Sequence, residues 1–133
     1  MKRVFADAFF YIAVLNRFDA AHQRAMYLIG TGAVEVVTTT AVLLEVADAM
    51  TAPARRGACA EFLEDLPEQD GTTIRALSEG LWKRGIDLYR SRPDKEWSLT
   101  DCISFVVMAE EGLADALTGD HHFEQAGFKP LLK

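Results

Sequence analysis

Four acidic residues lie next to apolar segments, where exposure to water does not by itself account for a charged side chain. They are Asp7, Glu45, Asp101 and Asp120. Carboxylates gathered at one place repel one another and raise each other's pKa, and a divalent cation relieves that repulsion. Oxygen ligands, without a histidine or cysteine in a suitable position, favour Mg²⁺ or Mn²⁺ over zinc. If the fold brings these residues together, their chemistry is that of a metal-dependent hydrolytic site.

The elements that must position these residues can be predicted from the hydrophobic pattern. Short apolar or β-branched runs predict strands at residues 4–6, 34–38 and 114–118, with a weaker one at 72–74. Apolar spacing of three and four residues predicts helices at 9–15, 20–29, 41–50, 54–66, 77–89 and 100–110. Strands that alternate with helices predict an α/β fold. The last helix is apolar around nearly its whole circumference, which favours a parallel sheet covered on both faces.

This order of elements would bring all four acids to one edge of the sheet, because the ligand crevice of an open parallel sheet lies outside the carboxyl ends of its strands. Asp7 and Asp120 each follow a predicted strand, and Glu45 lies early in the helix after the second strand. Asp101 lies in the first turn of the helix that leads into the 114–118 strand, so that turn begins at the same edge. Simpler explanations stay open, since Asp7 could cap a helix, Asp101 could stabilise a helix dipole and Asp120 could lie in a turn.

The composition bounds the class of protein. The chain has 133 residues, 50% of them hydrophobic, which predicts one domain over residues 1–133 with a sizeable core. Its 20 acidic and 14 basic residues give a net charge of −6, which ordinarily disfavours a nucleic-acid partner. Cys59 and Cys102 have neither disulfide nor zinc spacing, which is typical of a reducing compartment. Because the sequence shows no signal peptide or membrane span, we expect a cytoplasmic protein that does not associate with membranes.

Four short motifs carry a resemblance to a known family. They are Val-Phe-Ala-Asp7, Thr-Thr-x-x-Leu-Leu-Glu45-Val, Trp97-Ser-Leu-Thr-Asp101-Cys-Ile-Ser and Ala-Leu-Thr118-Gly-Asp120-His-His-Phe. Their types and order resemble the PIN-domain ribonucleases, and among these the VapC-type toxins of toxin-antitoxin systems. The resemblance implies a three-layer α/β/α sandwich around a short, mainly parallel central sheet. It also implies an endoribonuclease that depends on Mg²⁺ or Mn²⁺, cuts RNA, forms a homodimer and is silenced by a cognate antitoxin protein.

The same resemblance implies roles for particular residues. The family's catalytic and metal-binding acids correspond to Asp7, Glu45, Asp101 and Asp120, and its hydroxyl near the metal corresponds to Thr118. Such a site would hydrolyse a phosphodiester with a metal-activated water, oriented by Asp120 or Glu45. The family usually has threonine or serine directly after the first aspartate, where this chain has Ala8, so we expect weaker support for the metal. Asp48, three residues after Glu45, could add an outer carboxylate.

Basic and aromatic side chains outside the four acids could position an RNA strand. The candidates for substrate contact are Arg55, Arg56, Arg92, Lys95 and His121. Each of them is equally explained as a solvated charge on a helix or in a turn. Trp82, Tyr89 and Trp97 could stack on bases, although core packing explains them as well.

Two other classes of protein compete with a nuclease. A non-catalytic PIN scaffold would bind RNA or protein, but it would be free to lose any one of the four acids. A receiver-type signalling domain also gathers acids at strand ends and has a late Lys-Pro pair, here Lys129-Pro130. That class needs paired acids after the first strand and an acceptor aspartate at the end of a middle strand. Here Asp7 precedes Ala8, and Asp48 lies in a helical pattern.

Overall fold

The centre of the fold is a five-stranded sheet, seen in a computed structural model that describes residues 2–133. The strands are β1 (Lys2–Ala6), β2 (Val34–Thr39), β3 (Thr72–Arg75), β4 (Asp115–Leu117) and β5 (Lys129–Pro130). Their order across the sheet is β3-β2-β1-β4-β5, and every neighbouring pair is parallel. The first strand of the chain is therefore the central one, and its residues Val4, Phe5 and Ala6 are completely buried.

Seven α-helices and one 3-10 turn cover the sheet within the same range of residues. They are α1 (Ala8–Leu15), α2 (His22–Thr31), α3 (Thr40–Ala49), α4 (Pro53–Asp65), the turn Leu66–Glu68, α5 (Glu79–Ser91), α6 (Leu99–Glu111) and α7 (His121–Gln125). After β1 the chain adds β2 and then β3 on one side of it, and it later adds β4 and then β5 on the other side. Because parallel crossovers are right-handed, connections that run in opposite directions place their helices on opposite faces. Accordingly α1 packs on α2, and α5 packs on α6.

This topology creates a switch point between the carboxyl ends of β1 and β4. The two strands are hydrogen-bonded neighbours, with Ala6 opposite Leu117. The chain continues from β1 to one side of the sheet and from β4 to the other side. Open α/β sheets bind ligands in the crevice at such a point. The residues that follow Ala6 and Leu117 in the chain therefore lie where a ligand is expected.

Local sequence signals explain where the helices next to this crevice begin. Thr39 ends β2, and its Oγ1 accepts a hydrogen bond from the backbone N–H of Val42 (3.1 Å), which starts α3. Ser98 acts in the same way for α6, because its Oγ accepts from the N–H of Asp101 (3.0 Å). Most of α6 is buried between Asp101 and Met108. Packing on several sides therefore fixes the position of its first turn.

The predicted α/β class and parallel sheet are confirmed. The four predicted strands and six predicted helices are present, with ends close to those predicted. The pattern did not predict α7 or β5, because elements of five and two residues are too short for a hydrophobic period to be read. Within residues 2–133, no helix has the length and apolar character needed to cross a membrane.

The contact between α5 and α6 depends on Gly85. A Cβ atom at this position would lie 2.5 Å from Cγ1 of Ile103 and 3.6 Å from its Cα. We expect Gly85→Ala to lower the free energy of unfolding, measured by urea denaturation, by about 1–2 kcal/mol, since overpacking outweighs the gain in helix propensity. The control is Gly57→Ala in α4, where a Cβ meets no atom within 4 Å and a gain of about 1 kcal/mol is expected. Equal effects of the two substitutions would contradict this packing.

Candidate metal centre

Asp7 is the most buried of the four predicted acids, with 5% of its surface exposed. It occupies the N-cap position of α1, but its side chain makes no capping hydrogen bond. Its Oδ2 instead accepts a hydrogen bond from Oγ1 of Thr118 (2.9 Å). Burial raises the pKa of Asp7 to about 7, against the lowering effect of that hydrogen bond, and the charges of Glu45 and Asp101 add to the rise. The side chain therefore belongs to the crevice and not to the start of the helix.

Asp101 combines a structural role with a place in the crevice. Its Oδ2 accepts a hydrogen bond from the backbone N–H of Ser98 (3.1 Å), which completes a capping box with the Ser98 side chain. The residue is only 7% exposed, and burial raises the pKa of Asp101, with a further rise from the charge of Asp120. Its Oδ1 accepts no hydrogen bond from residues 2–133. Capping therefore uses one oxygen and leaves the other for a ligand.

In the loop after β4, the hydroxyl group of Thr118 links the end of this strand to the end of β1. Thr118 is fully buried, and its Oγ1 donates to Asp7 and accepts from the backbone N–H of Asp120 (3.1 Å). Asp120 caps α7 through Oδ1, which accepts from the N–H of His122 (2.9 Å). Asp120 therefore lies in the turn that starts a short helix, and Thr118 also links it to Asp7 at the end of β1.

Glu45 approaches the other acids from α3. It is half-buried, and the pKa of Glu45 is raised first by burial and then by the charges of Asp101, Asp120 and Asp48. Asp48 itself is exposed one turn further along the helix. The charge of Asp48 is therefore close enough to raise the pKa of Glu45, although the Asp48 side chain is exposed to solvent.

We call Asp7, Glu45, Asp101 and Asp120 the acidic quartet, since their mutual effects on pKa link all four. Among residues 2–133, the only ion-pair partners of its members are histidines, and no lysine or arginine neutralises them. The pKa values of Asp7, Glu45 and Asp101 are raised, and the described residues place no lysine or arginine beside these carboxyl groups. This donor set fits a hard divalent cation, for which Mg²⁺ and Mn²⁺ are suitable.

His122 contacts two members of the acidic quartet, so the expectation that no histidine is suitably placed is wrong. Its Nδ1 lies 3.0 Å from Oδ2 of Asp101 and 3.6 Å from Oδ1 of Asp120. The neighbouring His121 is more exposed, with its Nδ1 3.7 Å from the same Asp120 oxygen. One ligand atom each from Asp120, His121 and His122 lie within 4.8 Å of one another. The sequence alone could not separate these adjacent histidines, because the direction of each side chain depends on how α7 packs.

Ala8 stands where the PIN-domain ribonucleases usually have a threonine or serine. Ala8 is buried as the first residue of α1. The hydroxyl group that contacts Asp7 comes from Thr118 on the other side of the switch point. The site therefore keeps one hydroxyl donor to its most buried acid although position 8 provides none.

Two of the predicted RNA contacts line a cleft of about 860 Å³ between the end of α5 and the start of α6. Arg92 donates to Asp94 through Nε and Nη2 (3.0 Å each), and its guanidinium stacks over the Trp97 ring at 5.0 Å. Lys95 lies 4.0 Å from the same aspartate. The remaining wall is formed by Tyr89, Arg90, Pro93, Glu96, Trp97, Ser98, Leu99 and Cys102.

Of the other candidates, Arg55, Arg56 and Trp82 lie outside this cleft, whereas Tyr89 and Trp97 line it. Arg55 and Arg56 are exposed at the start of α4, where Arg56 donates to the carbonyl oxygen of Thr51 (3.3 Å). Trp97 is buried, packs edge-on against Phe105 and donates Nε1–H to Gln125 (3.0 Å), so core packing is the correct explanation for this residue. Trp82 and Tyr89 of α5 are about half exposed.

Comparison with known proteins places this geometry in a family. A family model described as the PIN domain matches residues 4–129. The fold also matches the crystal structure of the VapC20 toxin of Mycobacterium tuberculosis, described as a sarcin-ricin loop cleaving toxin. That match has a TM-score of 0.86 and covers 98% of this chain and 99% of the other, with 24% sequence identity. No curated protein sequence matches the chain.

Burial of Asp7 predicts a pH-dependent stability in the metal-free protein. Because its pKa is about 7 in the folded state against 3.8 in the unfolded chain, folding binds a proton in this range. The free energy of unfolding in EDTA should therefore fall as the pH rises from about 4 to about 7. This decrease in the free energy of unfolding should be on the order of a few kcal/mol, and Asp7→Asn should remove it. The variant should therefore be more stable than the parent at pH 7.5.

Chemical denaturation across this pH range, in EDTA and in Mg²⁺, measures the effect. The control Asp87→Asn replaces an exposed aspartate of α5 and should follow the parent at every pH. If Asp7 is a ligand of the metal, saturating Mg²⁺ should stabilise the parent more than Asp7→Asn, because a ligand that binds only the folded state stabilises it. An Asp7→Asn variant with the same pH profile as the parent would show that the burial of this carboxyl has no energetic consequence.

Proposed function

The chain belongs to the PIN domain family, and we propose that it is a metal-dependent endoribonuclease acting as the toxin of a toxin-antitoxin pair. The observation that carries this proposal is the acidic quartet, complete and gathered at the switch point of the sheet. The fold shared with VapC20, a toxin that cleaves the sarcin-ricin loop, supports RNA as the substrate class.

In the proposed mechanism the quartet holds Mg²⁺ or Mn²⁺. A metal held there would lower the pKa of a bound water and would offset the negative charge that develops on the scissile phosphate and on the departing 3′ oxygen. Asp7 acts as a carboxylate whose rotation is limited by the hydrogen bond from Thr118. The backbone N–H of Ser98 limits Asp101 in the same way. Asp120 or Glu45 orients the water or accepts its proton.

We propose that the RNA strand next to the scissile phosphate binds in the cleft between α5 and α6. Its cations are Arg90, Arg92 and Lys95, opposed by Glu96 and by Asp94, the partner of Arg92. Ser98 lies in the wall of the cleft, and its backbone N–H binds Asp101. The cleft therefore opens beside the quartet. Tyr89, about half exposed in the same wall, is suited to stack on an unpaired base.

The remaining parts of the proposal are a cognate antitoxin and a second copy of the chain, which follow from the resemblance to VapC-type toxins. A non-catalytic PIN scaffold is the alternative, and the complete quartet argues against it. A receiver-type domain fits less well, because Asp48 is exposed on α3 and does not end a middle strand.

Removal of one carboxylate charge tests the catalytic role of the quartet. We expect Asp7→Asn and Asp101→Asn each to lower the rate of RNA cleavage at fixed Mg²⁺ by about 100-fold or more, because each loses a ligand charge that the metal needs. EDTA should abolish cleavage by the parent, and Mn²⁺ should restore it. Gel analysis of end-labelled single-stranded and stem-loop RNAs measures these rates.

Asp87→Asn is the matched control, since it removes the same charge from an exposed position on α5 and should cleave as the parent does. Parental rates from both quartet variants, or cleavage that persists in EDTA, would exclude a metal-dependent nuclease. Tight RNA binding without cleavage in any divalent metal would favour the scaffold.

The salt dependence of RNA binding tests the cleft. We expect Lys95→Ala to lower the slope of log Kd against log salt concentration by about 0.7, the contribution of one phosphate contact to a single strand. Fluorescence anisotropy with a labelled single-stranded RNA measures this in an Asp7→Asn background, where the RNA stays intact. Lys83→Ala is the control, because this lysine is exposed on α5 outside the cleft. Equal slopes for the two lysine variants would place the RNA elsewhere.

A further inference from the structure

We infer that His122 is a positioning residue of the acidic quartet, which holds Asp101 and Asp120 in the arrangement that receives the metal. The inference rests on the proposed function for the role of the metal, but the contacts that carry it are those of the chain itself. Sequence motifs assign the four acids and Thr118, whereas His122 carries no assigned role.

Two different donors of His122 reach two different acids. The ring Nδ1 lies 3.0 Å from Oδ2 of Asp101, and the backbone N–H donates to Oδ1 of Asp120 at 2.9 Å. The same ring nitrogen is 3.6 Å from that Asp120 oxygen. Because a carboxylate only accepts hydrogen bonds, the contact with Asp101 places a hydrogen on Nδ1. One residue therefore connects the start of α6 to the loop after β4.

These contacts leave one oxygen of each carboxylate available. Oδ2 of Asp101 accepts from both Ser98 N–H and the His122 ring, while Oδ1 accepts no hydrogen bond from the described part of the chain. Asp120 is held through Oδ1 in the same manner. A carboxylate with one oxygen fixed and the other open presents a defined ligand direction, and such outer contacts raise metal affinity.

The imidazole is not needed to build the helix that carries it. The start of α7 is already capped by the Asp120 side chain and the His122 backbone N–H. The ring is nevertheless mostly buried, with 19% of its side chain exposed against 63% for His121. A side chain that is dispensable for its own helix and buried against Asp101 serves the quartet.

The test compares His122→Leu with His122→Asn, whose side chains have nearly the same shape but differ in the amide that can donate. Isothermal titration with Mn²⁺ in the absence of RNA should give about 10- to 100-fold weaker binding for the leucine variant, and the asparagine variant should recover most of that loss. His22→Leu is the matched control, because this histidine lies on α2, where its Nδ1 contacts the carbonyl oxygen of Ala13 (2.7 Å), and it should keep the parental Mn²⁺ affinity. At subsaturating Mn²⁺, His122→Leu should lower kcat for RNA with little change in KM.

Parental Mn²⁺ affinity in His122→Leu would overturn the inference, as would equal losses in the leucine and asparagine variants or in His22→Leu. A change confined to KM for RNA would make His122 a substrate contact and overturn it as well. If His122→Leu does not fold by circular dichroism, His122→Ala takes its place in the same comparison. Because the titration needs no RNA, it decides the role of His122 even if the parent protein cleaves no RNA.

Discussion

Repulsion among four carboxyl groups at one edge of the sheet is the constraint that the site must satisfy. Asp7 cannot move away, because it follows the central strand and lies beneath the surface, where burial raises its pKa to about 7. The Thr118 hydroxyl also binds Asp7, while the backbone N–H groups of Ser98 and His122 bind Asp101 and Asp120. Each of these hydrogen bonds uses a single carboxylate oxygen, and α3 carries Glu45 to the same place. The fold therefore holds an arrangement that is unfavourable without a cation and favourable with one.

This constraint changes the meaning of the net charge. A charge of −6 spread evenly over the surface would repel a phosphate backbone. Here four of the acids share one crevice, where a bound divalent cation would supply the largest local charge and reverse the field at the point of phosphate binding. The cations of the cleft lie beside this crevice, where Arg92 is fixed against Trp97. Under the proposed function, the position of the acids matters more than their number for the approach of RNA.

Much of this arrangement could be predicted because it follows from rules about strand ends. Asp7 and Asp120 come directly after apolar strands, so the parallel topology alone brings them to one edge. Thr118 could be named only through the resemblance to PIN-domain ribonucleases. His122 could not be predicted, since two adjacent histidines are equivalent in the sequence and differ only through the packing of a five-residue helix. Short elements such as β5 carry too few residues for a period, and their place is set by tertiary contacts.

Metal binding by the acidic quartet is tested most directly by locating Mn²⁺ through anomalous scattering in crystals grown or soaked with the ion. Such binding predicts a peak within coordination distance of carboxylate oxygens from Asp7 and Asp101, with Glu45 or Asp120 completing the shell. The Thr118 contact to Asp7 and the His122 contact to Asp101 should be preserved. A quartet without any anomalous peak at saturating Mn²⁺, or an ion bound only at another position of the chain, would contradict metal binding by the acidic quartet.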